Sequence, residues 1–243
     1  MAQNIYDDPE FFAGYCGLPR SVKGLHGAAE WESLQALLPP LGGASVVDLG
    51  CGFGWFCRWA AAAGADSVLG IDLSANMLAR AEADTSSPRV TYLQHDLDTL
   101  ELSAGAFHLA YSSLTLHYLA DIERLFRTVH GALTSGGHFV FSVEHPIFTA
   151  PSAPRFVTDA LGHSRWPVDG YLAEGPRTTD WLAPGVVKQH RTIGAYVNTL
   201  VAAGFRVTAL VEWGPSPEQV RDVPEWAVET ERPPFLLVAA DRT

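Results

Sequence analysis

The residues Val46-Val47-Asp48-Leu49-Gly50-Cys51-Gly52-Phe53-Gly54 decide the fold that this chain is expected to adopt. An apolar run of strand length, Ser45–Leu49, leads directly into three glycines at alternate positions. A helical pattern follows over residues 55–63 and ends at Gly64. A buried strand that passes through a glycine-rich turn into a helix predicts the first unit of an open α/β sheet, with the turn close to a ligand.

The spacing of the glycines indicates what kind of ligand this turn suits. A dinucleotide site would carry G-x-G-x-x-G, with a pyrophosphate at the helix N-terminus. Here Trp55 occupies the position of the third glycine in that pattern, and Asp48 adds negative charge nearby. Both features disfavour a pyrophosphate and favour a cationic ligand that carries an ammonium and a sulfonium group.

Strands and helices alternate on the C-terminal side of this motif. We expect Gly136-Gly137 to turn the chain into the fifth strand. After a helix over residues 192–203, the last two strands follow each other without a helix, which predicts an antiparallel hairpin at one edge. The alternation as a whole predicts a doubly wound, mostly parallel sheet. The strands after the first are predicted at residues 67–71, 90–94, 107–111, 138–143, 206–213 and 235–240.

Residues 144–191 interrupt this alternation with an irregular segment that contains six prolines and five aromatic residues. A long irregular segment in a compact domain is usually functional, and this one follows the carboxyl end of the fifth strand, where ligands of open sheets bind. We therefore predict a substrate lid at 144–191, and an N-terminal helical cap at 1–43, within one domain that spans 1–243. The alternative is a solvent-exposed loop that its aromatic residues anchor to the domain.

Composition and charge exclude several classes of protein. Hydrophobic residues make up 47% of the chain and charged residues 18%, which predicts a sizeable core and little disorder. The net charge of −11 repels phosphate backbones, so no nucleic-acid partner is expected. No apolar run reaches the ~18 residues of a membrane span and no secretory signal is visible, so we expect a cytoplasmic protein without a membrane partner. Three cysteines without metal spacing predict reduced thiols and no metal site.

Acidic residues also follow the second and third strands. Asp72 ends the second strand, and a carboxylate there can accept both ribose hydroxyls of an adenosine. Asp96 follows the third strand and can accept from an adenine amino group, while Leu73 and Met77 can sandwich the ring. Each has an ordinary structural alternative: a helix cap for Asp72, a turn former for Asp96 and core packing for Met77. Their positions at the ends of successive strands support a shared site.

Taken together, these segments resemble the class I S-adenosylmethionine-dependent methyltransferases. The resemblance is strong over residues 44–143, through VVDLGCGFG, GIDLS, the acidic residue after the third strand and LTSGGHFVFS, and it extends weakly to the C-terminal hairpin. YDDPEFFAGY, LPRSVKGLHGAAEW, EHPIF and KQHRTIGAYVNTL are similar to bacterial small-molecule enzymes of that family. The resemblance implies a Rossmann-like, seven-stranded sheet of order 3-2-1-4-5-7-6, with the last strand antiparallel.

The resemblance also implies S-adenosylmethionine as the cofactor. In the family the three glycines line its methionine and ribose portions, while Asp72 holds the ribose and Asp96 the adenine. Arg20 offers a fork that matches the methionine carboxylate, although an ordinary surface arginine is the alternative. The residues predicted to bind the cofactor are Arg20, Asp48, Gly50, Gly52, Gly54, Asp72, Leu73, Met77, Asp96, Leu97 and Ser112.

Methyl transfer is an in-line displacement, so the protein mainly aligns donor and acceptor and excludes water. A base is needed only if the acceptor loses a proton. His117, just past the fourth strand, is the first candidate; His145, at the end of the fifth, is the second, and His190 is the third. Tyr15 can contact the methyl group or the acceptor. The alternative for each histidine is a structural hydrogen bond, and for Tyr15 it is packing.

The acceptor is predicted to be a small molecule. The aromatic residues of 144–191 favour a flat or apolar compound, and the acidic composition favours a neutral or cationic one. O-, N- and C-methylation all stay open. A methyltransferase acting on protein or RNA is one alternative, but the sequence does not indicate the basic or extended groove that it would need. A nicotinamide-dependent dehydrogenase and a non-catalytic cofactor-binding module are the others; the glycine spacing disfavours the first, and the intact cofactor set disfavours the second.

Overall fold

The computed structural model describes residues 3–243 and consists of a central sheet with helices on both faces. The strands are β1 (Ser45–Leu49), β2 (Ser67–Asp72), β3 (Val90–Gln94), β4 (Phe107–Ser113), β5 (Leu133–Glu144), β6 (Val157–Thr158), β7 (Ser164–Arg165), β8 (Gly175–Trp181), β9 (Ala183–His190), β10 (Phe205–Trp213) and β11 (Phe235–Arg242). The helices are α1 (Pro9–Cys16), α2 (Pro19–Val22), α3 (Trp31–Gln35), α4 (Trp55–Ala62), α5 (Ala75–Ala83), α6 (Ile122–Ala132), α7 (Pro146–Thr149), α8 (Ile193–Ala202) and α9 (Pro217–Asp222).

The central sheet has seven strands in the order β10-β11-β5-β4-β1-β2-β3. The pairs among β1 to β5 are parallel, and β11 lies antiparallel to both β5 and β10. With β10 and β11 as the sixth and seventh strands, this confirms the order that the resemblance implied. The prediction that no helix separates the last two strands is wrong, because the short helix α9 lies between β10 and β11. The predicted antiparallel pairing of these two strands is confirmed.

Two hydrophobic clusters cover the two faces of the sheet. Successive residues of a strand point to opposite faces, so Val46 packs into one cluster and Val47 into the other. The cluster around Val46 contains α4, and the cluster around Val47 contains α6 and α8. Because both faces are covered, β1 is buried along nearly its whole length and its carboxyl end lies at the centre of the sheet edge.

The start of β5 differs from the prediction. The structure extends this strand back to Leu133, so the expected turn at Gly136-Gly137 lies inside it as an irregularity. The register with β4 moves from Leu133 opposite Phe107 to His138 opposite Leu109, which places extra residues on β5. Gly136 adopts a φ of 73°, a value that glycine reaches without the steric penalty of a side chain.

Residues 144–191 are more regular than the sequence indicates. They contain the short helix α7, the small pair β6–β7 and an antiparallel hairpin of β8 and β9. The hairpin lies against the N-terminal segment through the side chains of Phe11, Trp181 and Val186. Across residues 3–243, no helix combines the length and the apolar character needed to cross a membrane.

Candidate functional site

A cavity of about 460 Å³ lies at the carboxyl ends of the parallel strands. Gly50 and Gly52 line it after β1, Asp72 after β2 and Asp96 after β3. Residues from the ends of β4 and β5 complete this edge, and the N-terminal segment and the β8–β9 hairpin supply aromatic side chains opposite it. The parallel topology explains the position, since the carboxyl ends of all these strands meet at one edge of the sheet.

The three glycines of the first turn have different surroundings. Their φ values are 79° at Gly50, 52° at Gly52 and 68° at Gly54, all in the left-handed region. A Cβ at Gly50 would lie 2.2 Å from Oγ1 of Thr115, and one at Gly54 would lie 2.1 Å from Oη of Tyr92. A Cβ at Gly52 would meet no atom within 4 Å. Gly50 and Gly54 therefore permit close packing, whereas Gly52 leaves open space beside the cavity.

The Asp72 carboxylate ties the end of β2 to two neighbouring backbones. Its Oδ2 accepts from the backbone N–H of Gly52 at 2.8 Å, and its Oδ1 accepts from that of Ser74 at 2.9 Å. Burial raises the pKa of Asp72, and the backbone donors oppose that shift. The two carboxylate oxygens have about four lone pairs between them, and the backbone N–H groups of Gly52, Leu73 and Ser74 use three, so the carboxylate can accept a further hydrogen bond.

The side chains expected at an adenine line the same cavity. Leu73, Met77, Asp96 and Leu97 all line it, and Met77 and Leu97 are buried. The Asp96 carboxylate also accepts from the backbone N–H of Asp98 at 2.9 Å, which fixes its orientation. The structure thus brings together the residues that the sequence nominated after β2 and β3.

A smaller cavity of about 90 Å³ shares Arg20 and the glycine turn with the first one. Nη2 of Arg20 donates to both carboxylate oxygens of the buried Glu30, at 3.1 and 3.2 Å. Asp48 also lines this cavity, and its Oδ2 accepts from Sγ of Cys57 at 3.2 Å. Burial raises the pKa of Asp48 to about 7. Charged groups of both signs therefore surround the small cavity.

The N-terminal segment lines part of the cavity and is hydrogen-bonded to the start of α5. The Asp7 carboxylate accepts from the Ser74 hydroxyl at 2.5 Å and from the backbone N–H of Asn76 at 3.2 Å. The Tyr6 hydroxyl donates to the Tyr118 hydroxyl at 3.3 Å, and the Tyr6 ring packs edge-on against Tyr15 with centroids 5.2 Å apart. Tyr15 lines the cavity, and its contact with the methyl group or the acceptor stays a prediction.

His117 is buried and lines the cavity. Its Nδ1 accepts from the backbone N–H of Glu144 at 3.4 Å, and a neutral imidazole with an accepting Nδ1 carries its proton on Nε2. Burial lowers the pKa of His117 well below its usual value, and the nearby charges of Lys188, Arg191 and Arg20 lower it further. His117 is therefore neutral, with Nε2–H as a hydrogen-bond donor.

His145 has a different environment. Its Nδ1 accepts from the backbone N–H of Ile147 at 3.0 Å and caps α7, while its Nε2 bonds to Oε1 of Glu212 at 2.9 Å. Burial lowers the pKa of His145, and Glu212 opposes that shift. Within residues 3–243, His145 is not among the side chains that line the two cavities. Both of its ring nitrogens are already engaged in holding the start of the inserted segment.

Two further predicted residues, Ser112 and His190, are held by hydrogen-bond partners within the protein. The Ser112 hydroxyl donates to the carbonyl of Leu49 at 2.7 Å, between β4 and β1. His190 bonds to the Thr149 hydroxyl at 2.8 Å and to the carbonyl of Tyr171 at 2.9 Å. In the described part of the chain, neither Ser112 nor His190 nor Gly54 lines a cavity.

Glu144 is a cavity residue that the sequence reasoning missed. Its Oε1 accepts from Nζ of Lys188 at 2.5 Å, and the Lys188 ammonium lies 4.8 Å from the centre of the Trp181 ring. The side chains of Glu144 and Lys188 are 15% and 4% exposed, so the ion pair is largely shielded from solvent. Its position in the sequence could have identified it, because Glu144 ends β5 in the same way that Asp72 ends β2.

Comparison with known proteins identifies the family to which the chain belongs. The family model of the methyltransferase domain matches residues 47–141. A crystal structure of an S-adenosylmethionine-dependent methyltransferase from Mesorhizobium loti is 57% identical, with a TM-score of 0.88, and the match covers 90% of this chain and 100% of that one.

Two sequence relatives extend the comparison. An uncharacterized Haemophilus influenzae protein is 31% identical over 98% of this chain and 96% of its own length. A trans-aconitate 2-methyltransferase from Deinococcus radiodurans is 36% identical, over 57% of this chain and 55% of that enzyme. These matches decide against the nicotinamide-dependent dehydrogenase. The chain belongs to the class I S-adenosylmethionine-dependent methyltransferases, enzymes that take their methyl group from S-adenosylmethionine.

Proposed function

We propose that this enzyme methylates a small molecule with a flat or apolar body. The observation that carries the proposal is the wall of the large cavity, which is rich in aromatic side chains. Flat apolar surfaces pack well against such rings. The trans-aconitate 2-methyltransferase among the relatives supports a small acceptor. The aromatic residues of this wall are Tyr6, Tyr15, Tyr118, Phe148, Trp181, Trp213, Trp226 and Phe235.

The residues of the site fit S-adenosylmethionine from end to end. The open space at Gly52 gives room for the ligand beside the glycine turn, and the Asp72 carboxylate can accept from ribose hydroxyls. Met77 and Asp96 also line the cavity, where Met77 can pack against an adenine ring and Asp96 can accept from its amino group. The small cavity with Arg20 and Asp48 suits the charged methionine end. We infer that these residues hold the methyl donor, which supplies an activated methyl group when bound.

We also propose that residues 1–43 form a cap and residues 144–191 a lid over the acceptor; residues 1 and 2 of the cap lie outside the described part of the chain. The contacts of Phe11 with Trp181, with ring centroids 5.5 Å apart, support a joint cover made by both segments. Exclusion of water by such a cover would favour transfer to the acceptor over loss of the methyl group to solvent.

His117 is proposed to orient the acceptor through its Nε2–H rather than to remove a proton. We expect His117→Ala to lower kcat by at least about tenfold, with little change in cofactor affinity; a group that transferred the proton itself would contribute more, ~10²–10⁴-fold. His117→Asn keeps an N–H donor and should stay within about threefold of the wild type. Steady-state kinetics from pH 6 to 9 test this, and equal loss in both variants would point to a base instead.

Asp48 should make cofactor binding depend on pH. Its pKa of about 7 means that the carboxyl is largely neutral below pH 7 and ionised above it. A cationic ligand prefers the ionised form, so affinity for S-adenosylmethionine should rise with pH, by up to about tenfold per pH unit below 7. Asp48→Asn, which does not ionise, should flatten this dependence. Calorimetry from pH 5.5 to 8.5 measures it; a wild-type affinity independent of pH would contradict the proposal.

The proposed function is tested by mass spectrometry. The enzyme is incubated with methyl-labelled S-adenosylmethionine and a metabolite extract, and the products are separated by mass. We expect label in a compound of low molecular mass with an aromatic or apolar skeleton. A parallel incubation uses an unfractionated cell extract, and label found only in its protein or RNA would overturn the proposal.

A further inference from the structure

We propose that Glu144 and His117 together select an uncharged hydroxyl group, carried on a flat apolar body such as a phenol. This inference rests on the proposed function and names its acceptor class. It assigns a specificity-determining role to Glu144, which the sequence reasoning did not nominate. The two residues are held side by side, because the backbone N–H of Glu144 itself donates to Nδ1 of His117.

Glu144 has accepting capacity that nothing in the described chain uses. Its Oε1 is bound to Lys188, but its Oε2 is shielded from solvent and has no hydrogen-bond partner within residues 3–243. A buried oxygen without a donor is costly, and a donor from a ligand would remove that cost. The side chain lines the cavity, and the terminal torsion of a glutamate is broad, so the carboxylate can turn an oxygen toward the acceptor.

His117 supplies a hydrogen-bond donor beside the accepting carboxylate of Glu144. Its Nε2–H is a donor, since its Nδ1 already accepts from the backbone of Glu144. A hydroxyl group is both donor and acceptor: its O–H can be directed to Glu144 while its lone pair accepts from His117. An ammonium group has no lone pair to accept, and a carboxylate has no proton to donate.

The charges along the cavity also disfavour an anionic acceptor. Four acidic side chains line it in the described part of the chain: Asp72, Asp96, Glu144 and Glu229. Arg20 is the one Lys or Arg among the described lining residues, and it is paired with the buried Glu30. Glu144 and Glu229 are paired with Lys188 and Arg232, so Asp72 and Asp96 carry most of the negative charge along the cavity. An additional carboxylate would meet unfavourable charge in a poorly solvated site, whereas a neutral hydroxyl would not.

The same arrangement gives the proton of the hydroxyl a destination. The hydroxyl oxygen forms its new bond to the methyl carbon with its own electron pair. The bond from that carbon to sulfur breaks with its electrons going to sulfur, and the hydroxyl proton passes to the Glu144 carboxylate. The products are a methyl ether, a neutral thioether and a protonated Glu144, which releases the proton to solvent after the site opens.

Three ring-matched probes test this selection: 2-naphthol, 2-naphthoate and 2-(aminomethyl)naphthalene. Each is titrated by calorimetry into the protein loaded with S-adenosylhomocysteine. We expect 2-naphthol to bind at least about tenfold more tightly than either charged probe, and Glu144→Gln to reduce that advantage over 2-naphthoate to less than about threefold. Glu123→Gln is the matched control, because Glu123 also pairs with a cation, Arg127, but on the exposed face of α6.

Tighter or equal binding of a charged probe by the wild type would overturn the inference, as would an unchanged preference in Glu144→Gln. If Glu144→Gln does not fold, the double variant Glu144→Gln with Lys188→Met is used in its place, because it removes both charges of the buried pair. Binding of S-adenosylhomocysteine is measured alongside. If S-adenosylhomocysteine binds normally but none of the three naphthalene probes binds, the apolar acceptor of the proposed function is overturned as well. If 2-naphthoate alone binds, only the selection of a hydroxyl group is overturned.

Discussion

Replacement of Gly52 with valine is expected to weaken S-adenosylmethionine binding by at least about 100-fold, or roughly 2.7 kcal/mol. A Cβ at this position meets no protein atom within 4 Å, so the added side chain would occupy the space proposed for the ligand. A valine at the φ of 52° also strains the backbone by about 1–2 kcal/mol, which lowers the free energy of unfolding. This strain leaves the other residues of the site in place. Any loss of activity in this variant should therefore come mainly from weaker cofactor binding and not from unfolding.

Gly105→Val separates the two effects. Gly105 has a φ of 61° and also meets no atom within 4 Å at its Cβ, but it lies in the loop before β4, outside the cavity lining. It should lose stability like Gly52→Val and keep its cofactor affinity. Thermal unfolding and calorimetric titration of both variants measure the difference. Equal affinity in the two variants would show that Gly52 does not face the ligand.

The second large effect is expected at Asp72. Asp72→Ala should weaken cofactor binding by about 1.5–3 kcal/mol, or roughly 10- to 150-fold, as for loss of hydrogen bonds to a charged group. The variant also removes the acceptor for the backbone N–H groups of Gly52 and Ser74, so the glycine turn should become more mobile. Asp72→Asn keeps one acceptor oxygen and should lose less affinity.

Asp66→Ala provides the control for Asp72→Ala. Asp66 is exposed and lies just before the amino end of β2, at the edge of the sheet opposite the cavity. Its removal should leave the dissociation constant for S-adenosylmethionine unchanged in the same titration. If Asp72→Ala binds the cofactor as well as Asp66→Ala does, Asp72 serves only as a structural acceptor at the start of α5.

Local patterns in the sequence were sufficient to locate the sheet and one side of the site. The apolar run Ser45–Leu49, the glycines after it and the capped helices each depend on neighbours a few residues away, so their pattern is visible in one sequence. Asp72 could be nominated because the end of a predicted strand fixes its place. The order of the strands came from the family resemblance, since alternation alone does not decide it.

Contacts between distant segments could not be predicted in this way. Lys188 reaches Glu144 across 44 residues, and His145 reaches Glu212 across 67. The hairpin of β8 and β9 was missed because its prolines and exposed alternating residues are equally typical of a loop. The role of His117 as a donor likewise depends on one backbone N–H that the fold brings to its Nδ1.

Titration calorimetry with S-adenosylmethionine and S-adenosylhomocysteine tests most directly whether the methyl donor binds at the carboxyl ends of the strands. We expect saturable binding of each, with one molecule per chain, and a rise in the unfolding temperature with either ligand. Gly52→Val should abolish both signals while Gly105→Val keeps them. Absence of heat and of any thermal shift with both ligands in the wild-type protein would contradict the assignment of this cavity.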